Sequence, residues 1–198
     1  GQDYALNLDG GSTITNAVNL TNTGAVRIGE GADTNTFTGG LTATAPASLS
    51  LAGTIQSTNT AISLGDLGGS ATASTLTAAT TLSSGSGNVT LGGTVDGAFG
   101  LTLNSTGTVD VNGVIGGSAP ITSLTSNTVG TLDLGADVSV DGAVDVNDAV
   151  TLSSTVTLTQ TTSASDTVDF GSTVNGAQNL TLAAAGATVF QGTVGNIA

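Results

Sequence analysis

Val95-Asp96-Gly97-Ala98-Phe99-Gly100-Leu101-Thr102-Leu103 returns farther along the chain as Val174-Asn175-Gly176-Ala177-Gln178-Asn179-Leu180-Thr181-Leu182. Each copy places an apolar residue before Asp-Gly or Asn-Gly, continues into an alternating Leu-Thr-Leu run, and meets a glycine four residues on, Gly107 or Gly186. Apolar–polar alternation is the pattern of a half-buried strand. Asp-Gly and Asn-Gly accept positive φ cheaply and so mark turns. The unit is strand, tight turn, strand. Self-similarity over such a distance is the mark of a fold that stacks one unit upon another.

Working outward, Gly-Thr-(Val/Ile) recurs as Gly53-Thr54-Ile55, Gly93-Thr94-Val95 and Gly192-Thr193-Val194, with Ser172-Thr173-Val174 close and Gly113-Val114-Ile115 looser. Its third position extends into a ladder: Ile14, Asn35, Ile55, Leu76, Val95, Ile115, Leu134, Val156, Val174, Val194. The mean step is about 20 residues, a length suited to one structural repeat. A second ladder runs Leu8, Ile28, Leu49, Gly69, Val89, Val109, Val129, Val150, Val168, Val189, and a third Leu20, Leu41, Ile62, Leu82, Leu101, Ile121, Val140, Leu158, Leu180. Only Asn35 and Gly69 among these are not aliphatic. Three short strands with turns make a winding of about 20 residues, and windings stack at ~4.8 Å with parallel pairing. The expected fold is therefore an all-β, single-stranded parallel β-helix (β-solenoid). It has about ten coils, spans 1–198 as one domain, and reaches ~48 Å. A β-sandwich of hairpins is the rival, because each Asp-Gly or Asn-Gly pair also suits a hairpin turn, but a sandwich needs no fixed repeat.

Composition supports strands and narrows function. Charged residues are 8% of the 198 residues, against roughly 25% in ordinary domains. A hydrophobic share of 38% and a mean hydropathy of +0.31 argue against disorder, which needs low hydrophobicity with high charge. Two prolines leave backbone donors nearly everywhere. The net charge is −13, with Arg27 the sole cation. Nucleic acid and anionic membrane surfaces both require Lys and Arg, so neither is an expected partner. No apolar run is long enough for a spanning helix. The absence of methionine, even at position 1, and an unfinished last coil at Ile197-Ala198 are read as a processed or truncated chain whose coil ends continue into more shaft or stack head to tail.

Val89-Thr90-Leu91-Gly92-Gly93-Thr94-Val95-Asp96-Gly97 and Val168-Asp169-Phe170-Gly171-Ser172-Thr173-Val174-Asn175-Gly176 resemble the repeats of filamentous-haemagglutinin-like bacterial exoproteins and autotransporter shafts. The likeness covers nearly the whole chain from about residue 10. It implies a right-handed helix, secretion to the bacterial cell surface, and service as an adhesin shaft, whose receptor the sequence does not name. Nothing matches that family's secretion domain, so the chain reads as a piece of shaft or a self-standing relative.

Catalysis is poorly supplied. There is no His, Cys or Lys, and one Tyr, so acid–base work would fall to carboxylates alone, and no enzyme is expected. The alternative function is a binding module for a glycan, Ca²⁺ or ice. No organic cofactor is expected. Five of the fourteen acids form the run Asp133, Asp137, Asp141, Asp145, Asp148. This is the candidate Ca²⁺ site, since Ca²⁺ takes six to eight oxygens. Its spacing fits no EF-hand and the β-roll calcium repeat is absent, so a solvated acidic patch is the plainer expectation. Thr-x-Thr occurs at Thr13-Ile14-Thr15, Thr34-Asn35-Thr36 and Thr75-Leu76-Thr77. Flat threonine arrays serve ice-binding solenoids, but Thr54-Ile55-Gln56 and Thr94-Val95-Asp96 break this one, and ordinary outward strand threonines are the simpler reading. Arg27 is expected to pair with Glu30 or a nearby Asp, Tyr4 to cap the first coil, and the dispersed Phe37, Phe99, Phe170 and Phe190 to pack in core or turns.

Overall fold

The computed structural model describes residues 2–66, 72–126, 129–162 and 164–195, all strand, turn or coil. Gly69 of the second ladder and the terminal Ile197-Ala198 lie outside the described residues. Every strand pairing among the described residues is parallel. The chain is a β-solenoid, and a sandwich of hairpins is excluded.

The winding has three sides. The first carries Leu6–Leu8, Ala25–Ile28, the first halves of Ser48–Ser57 and Ala73–Gly85, Val95–Asp96, Val138–Val140, Val156–Gln160 and Leu180–Ala184. Ile115 bridges Val95 to Val138 as a single residue. The second side carries Ser12–Ile14, Thr34–Phe37, the second halves of the same two long strands, Gly100–Ser105, Ser123–Ser126, Val144–Val146, Val168–Phe170 and Thr188–Phe190. The third carries Val18–Asn19, Leu41–Ala43, Ile62–Leu64, Val89–Leu91, Thr108–Val111, Thr131–Leu134, Ala149–Leu152 and Val174–Asn175.

On the third side the register is unbroken: Val18, Leu41, Ile62, Val89, Val109, Leu132, Val150, Val174, Val194, each the partner of the next. Eight steps carry the chain from Val18 to Val194, so the mean winding is about 22 residues rather than about 20, still within the span of solenoid repeats. The stack has about eight turns rather than ten. The shortest step runs from Leu132 to Val150 and the longest from Ile62 to Val89. Eight spacings of ~4.8 Å give ~38 Å of axis.

A constant step shorter than the winding by about two positions slips against this register, and so slides from side to side. The second ladder starts on the first side with Leu8 and Ile28, passes through Val89, Val109 and Val150 on the third, and reaches Val168 on the second. In the first ladder Ile14 pairs with Phe37 instead of Asn35, and Ile55 with Leu82 instead of Leu76. A slip of two keeps side chains on the same face of the strand, which is why most ladder residues are buried all the same. Val129, Val189 and Val194 are the exceptions, 93%, 41% and 55% exposed. The opening repeat behaves alike. Val95–Leu103 turns the corner from first to second side, and Val174–Leu182 the corner from third to first. Both turn on a glycine, with φ of +127° at Gly97 and +135° at Gly176. A Cβ there would meet the carbonyl of the winding before, Leu76 at 2.5 Å and Leu152 at 2.6 Å. The motif encodes a corner, whichever corner it occupies.

The core is two inward columns on each side, spaced two residues apart. On the third side Ile62, Val89, Val109 and Leu132 stack beside Leu64, Leu91, Val111 and Leu134, all at most 1% exposed. Each such side chain contributes about 1.5–3 kcal/mol. Phe37 and Phe170 are wholly enclosed, whereas Phe99 and Phe190 are partly open. Tyr4 is 52% exposed, and it is its backbone carbonyl, accepting from Asn22 Nδ2 at 3.1 Å, that holds the first winding.

Candidate functional site

The acidic run is the first candidate, and the winding disperses it. Asp133 faces outward from the third side, Asp137 sits at the next corner, Asp141 at the one after, Asp145 on the second side and Asp148 at the last corner. A spacing of three or four positions, along the short winding from Leu132 to Val150, sets one carboxylate on each side or corner in turn. They point around the girth and cannot converge. No group of three or more Asp, Glu, His or Cys side chains among the described residues is placed to hold a metal.

Three of these acids bind neighbouring windings instead. Asp137 Oδ1 accepts the Thr157 N–H at 2.7 Å, and Asp141 accepts the Thr161 hydroxyl. Asp148 is 1% exposed; it accepts the Ser126 hydroxyl and, at 2.8 Å, the Gly130 N–H. Other corners use the same device. Asp96 Oδ1 accepts from Ser118 N at 2.8 Å and Ala119 N at 3.2 Å, and Asn59 and Asn88 take the N–H groups of Ser86 and Thr108. Gln160 bridges both ways, donating to Gly142 O and accepting from Gly186 N, each at 3.0 Å. A turn leaves N–H groups without ladder partners, and a short polar side chain one winding away supplies the acceptor. For Asp96, Asp141 and Asn88 the sequence signal was a neighbouring Gly, visible but readable only as a turn; Asp137, Asp148, Asn59 and Gln160 carry no such mark.

Two pairs of carboxylates do stack along the axis: Asp110 on Asp133, and Asp145 on Asp169. Like charges in direct register repel. Burial pushes the Asp110 carboxyl above its ordinary value, the Asp133 charge adds to this, and a hydrogen bond with Thr90 opposes it. A raised folded-state value means that the folded chain takes up the Asp110 proton at a higher pH than the unfolded chain does. This group therefore favours the folded state more as pH falls through its raised range, and weakens it at neutral pH. Asp110→Asn is expected to stabilise by about 0.2–1 kcal/mol at pH 7, and the advantage is expected to shrink as the pH falls through that range. Thermal melts of both proteins across pH check it; an advantage that grows on acidification contradicts the sign.

Arg27 bonds Asp9, with Glu30 at 3.9 Å, an exposed cluster of a single cation. Of the threonine pairs, Thr13 and Thr36 are in register on the second side, with Thr34 beside them. Thr75 lies on the first side between Ser50 and Asp96, so the three pairs do not share one face.

The surface has shallow depressions. One, near the last windings, is lined by Leu152, Val174, Asn179, Leu180 and Val194 among others and includes no titratable side chain. Another, at the corner of Thr44, Pro46 and Thr72, includes Asp66 as its one carboxylate. Neither pairs the two carboxyl groups that glycoside cleavage uses. No protein-family model matches this chain, and no curated protein or solved structure matches it either.

Proposed function

We propose that this chain is a structural rod, a segment of the shaft of a bacterial surface adhesin or fibre, working outside the cell by reach and stiffness. The observation that supports this most is the unbroken register of the third side, eight successive parallel pairings with aliphatic columns behind them. Bending such a stack strains hydrogen bonds on one side and compresses close-packed side chains on another. The likeness of Val89–Gly97 and Val168–Gly176 to filamentous-haemagglutinin-like repeats supports the surface location. Partners on this reading are neighbouring shaft repeats, or another copy set head to tail, with no nucleic acid and no insertion into a membrane.

The reading is tested by placing the chain between an outer-surface anchor and an epitope tag on cells bearing a short polysaccharide coat. The rod is expected to carry the tag out by ~38 Å, so that antibody reaches it where it fails to reach a tag on the anchor alone. Removing residues 89–108, one winding by the Val89–Val109 register, is expected to shorten the purified particle by ~4.8 Å in X-ray scattering. A compact, roughly spherical particle, or a tag as masked as on the anchor alone, would overturn the proposal.

A further inference from the structure

Sequence order hides the longest threonine array among the described residues. Thr34, Thr54, Thr81, Thr102 and Thr125 occupy five successive levels of the second side in direct register. The steps between them are unequal, so no fixed period connects them. Two residues farther along each strand runs a parallel column of Thr36, Gln56, Ser83 and Asn104, also in register. On the opposite flank lie Ala79, Gly100 and Ser123, none larger than serine. Among the described residues, no charged side chain enters these columns until Asp145 and Asp169 continue the threonine line and end it.

We propose that this face binds ice, its ligand being the ordered water oxygens of a hexagonal ice surface. The spacing argument comes first. Neighbouring levels are ~4.8 Å apart and the two outward columns ~6.6 Å apart along the strand, close to the a- and c-axis repeats of hexagonal ice. The side chains come second. Threonine is stiff about χ1, and the backbone is fixed by pairing on both sides, so the hydroxyls and methyls are pre-ordered. Binding water to a pre-ordered grid forgoes the rotamer entropy that a flexible surface would lose. Charge comes third. A carboxylate holds a tight hydration shell of its own geometry, and this face keeps acids out over five levels of a chain with net charge −13. The other sides do not match it. The first places Arg27 and Asp96 in the column of Ser50 and Thr75, and the third places Asp110 and Asp133 in line with Thr90. The inference stands apart from the rod reading, since a shaft needs no such face.

The test uses the whole chain at millimolar concentration in a nanolitre osmometer. Expected are faceted ice crystals and a gap between melting and freezing. Thr102→Lys, within the array, is expected to lose that gap while its melting curve stays that of the parent; Thr81→Lys, one level away, repeats the test should the first variant fold poorly. Ser63→Lys on the third side is expected to retain the gap. Round crystals without a gap from the parent chain overturn the proposal, as does a full gap from both threonine variants. Retention of the parent on insoluble polysaccharide but not on ice would assign the face to a glycan and overturn it as well.

Discussion

Phe170→Ala is expected to destabilise the chain by about 3–5 kcal/mol, and to do so unevenly along its length. Phe170 is wholly enclosed, stands in register with Val146 before it and Phe190 after it, and stacks on the Phe190 ring at 5.1 Å between centroids with planes 6° apart. Aromatic pairs of this kind add about 0.5–1.5 kcal/mol beyond the area they bury. The neighbouring windings are held by backbone pairing on all three sides and cannot collapse freely into the space left behind, which puts the loss at the upper part of the range. A solenoid is a chain of nearest-neighbour contacts, so the damage stays local. Amide exchange should show Leu180–Ala184 and Thr188–Phe190 losing protection while Leu41–Ala43 through Thr108–Val111 keep theirs. Uniform loss of protection would mean that the stack melts as a single unit.

Asn35→Val is expected to stabilise by about 1–3 kcal/mol. Asn35 is fully buried between Ser12 and Ile55 on the inward column of the second side. Neither its amide nitrogen nor its oxygen has a hydrogen-bond partner in the structure. An unpaired buried polar group carries its whole desolvation penalty, and valine removes that penalty while adding a β-branched side chain suited to a strand. The volume difference is small enough for a column that already holds Ile55 and Leu82. The midpoint of denaturant unfolding should rise with its slope unchanged. A fall in the midpoint would show that Asn35 has a partner in solution.

Asn35 also shows how far the sequence could be read. It stood out as a polar member of an aliphatic ladder, and burial there is what the alternation required. The solenoid itself was legible because strand alternation and Asp-Gly or Asn-Gly corners are local signals that survive any drift in spacing. The winding length was not. Its corners differ in size, from Leu91–Val95 to the longer passage between Leu64 and Ala73, and the even slip between ladder step and true winding kept buried residues buried. The acidic run was visible as a run, but where each carboxylate points depends on its phase around the winding, and no local signal gives that phase. Thr81, Thr102 and Thr125 were illegible as an array for the same reason, since their alignment with Thr34 rests on register alone.

The unbroken third-side register has a kinetic consequence. Successive partners there are close in sequence, Leu132 with Val150 at one extreme and Ile62 with Val89 at the other. The typical closure distance is about 0.11 of the chain length, within the range of fast-folding helical bundles and not of β-sandwiches. Each increment needs only the next short stretch of chain, and the finished part serves as its template. A chain threaded slowly out of a narrow pore, either end leading, would condense on the far side as it emerges. Every completed increment makes backsliding harder, so folding would act as a pawl that pulls the remainder through.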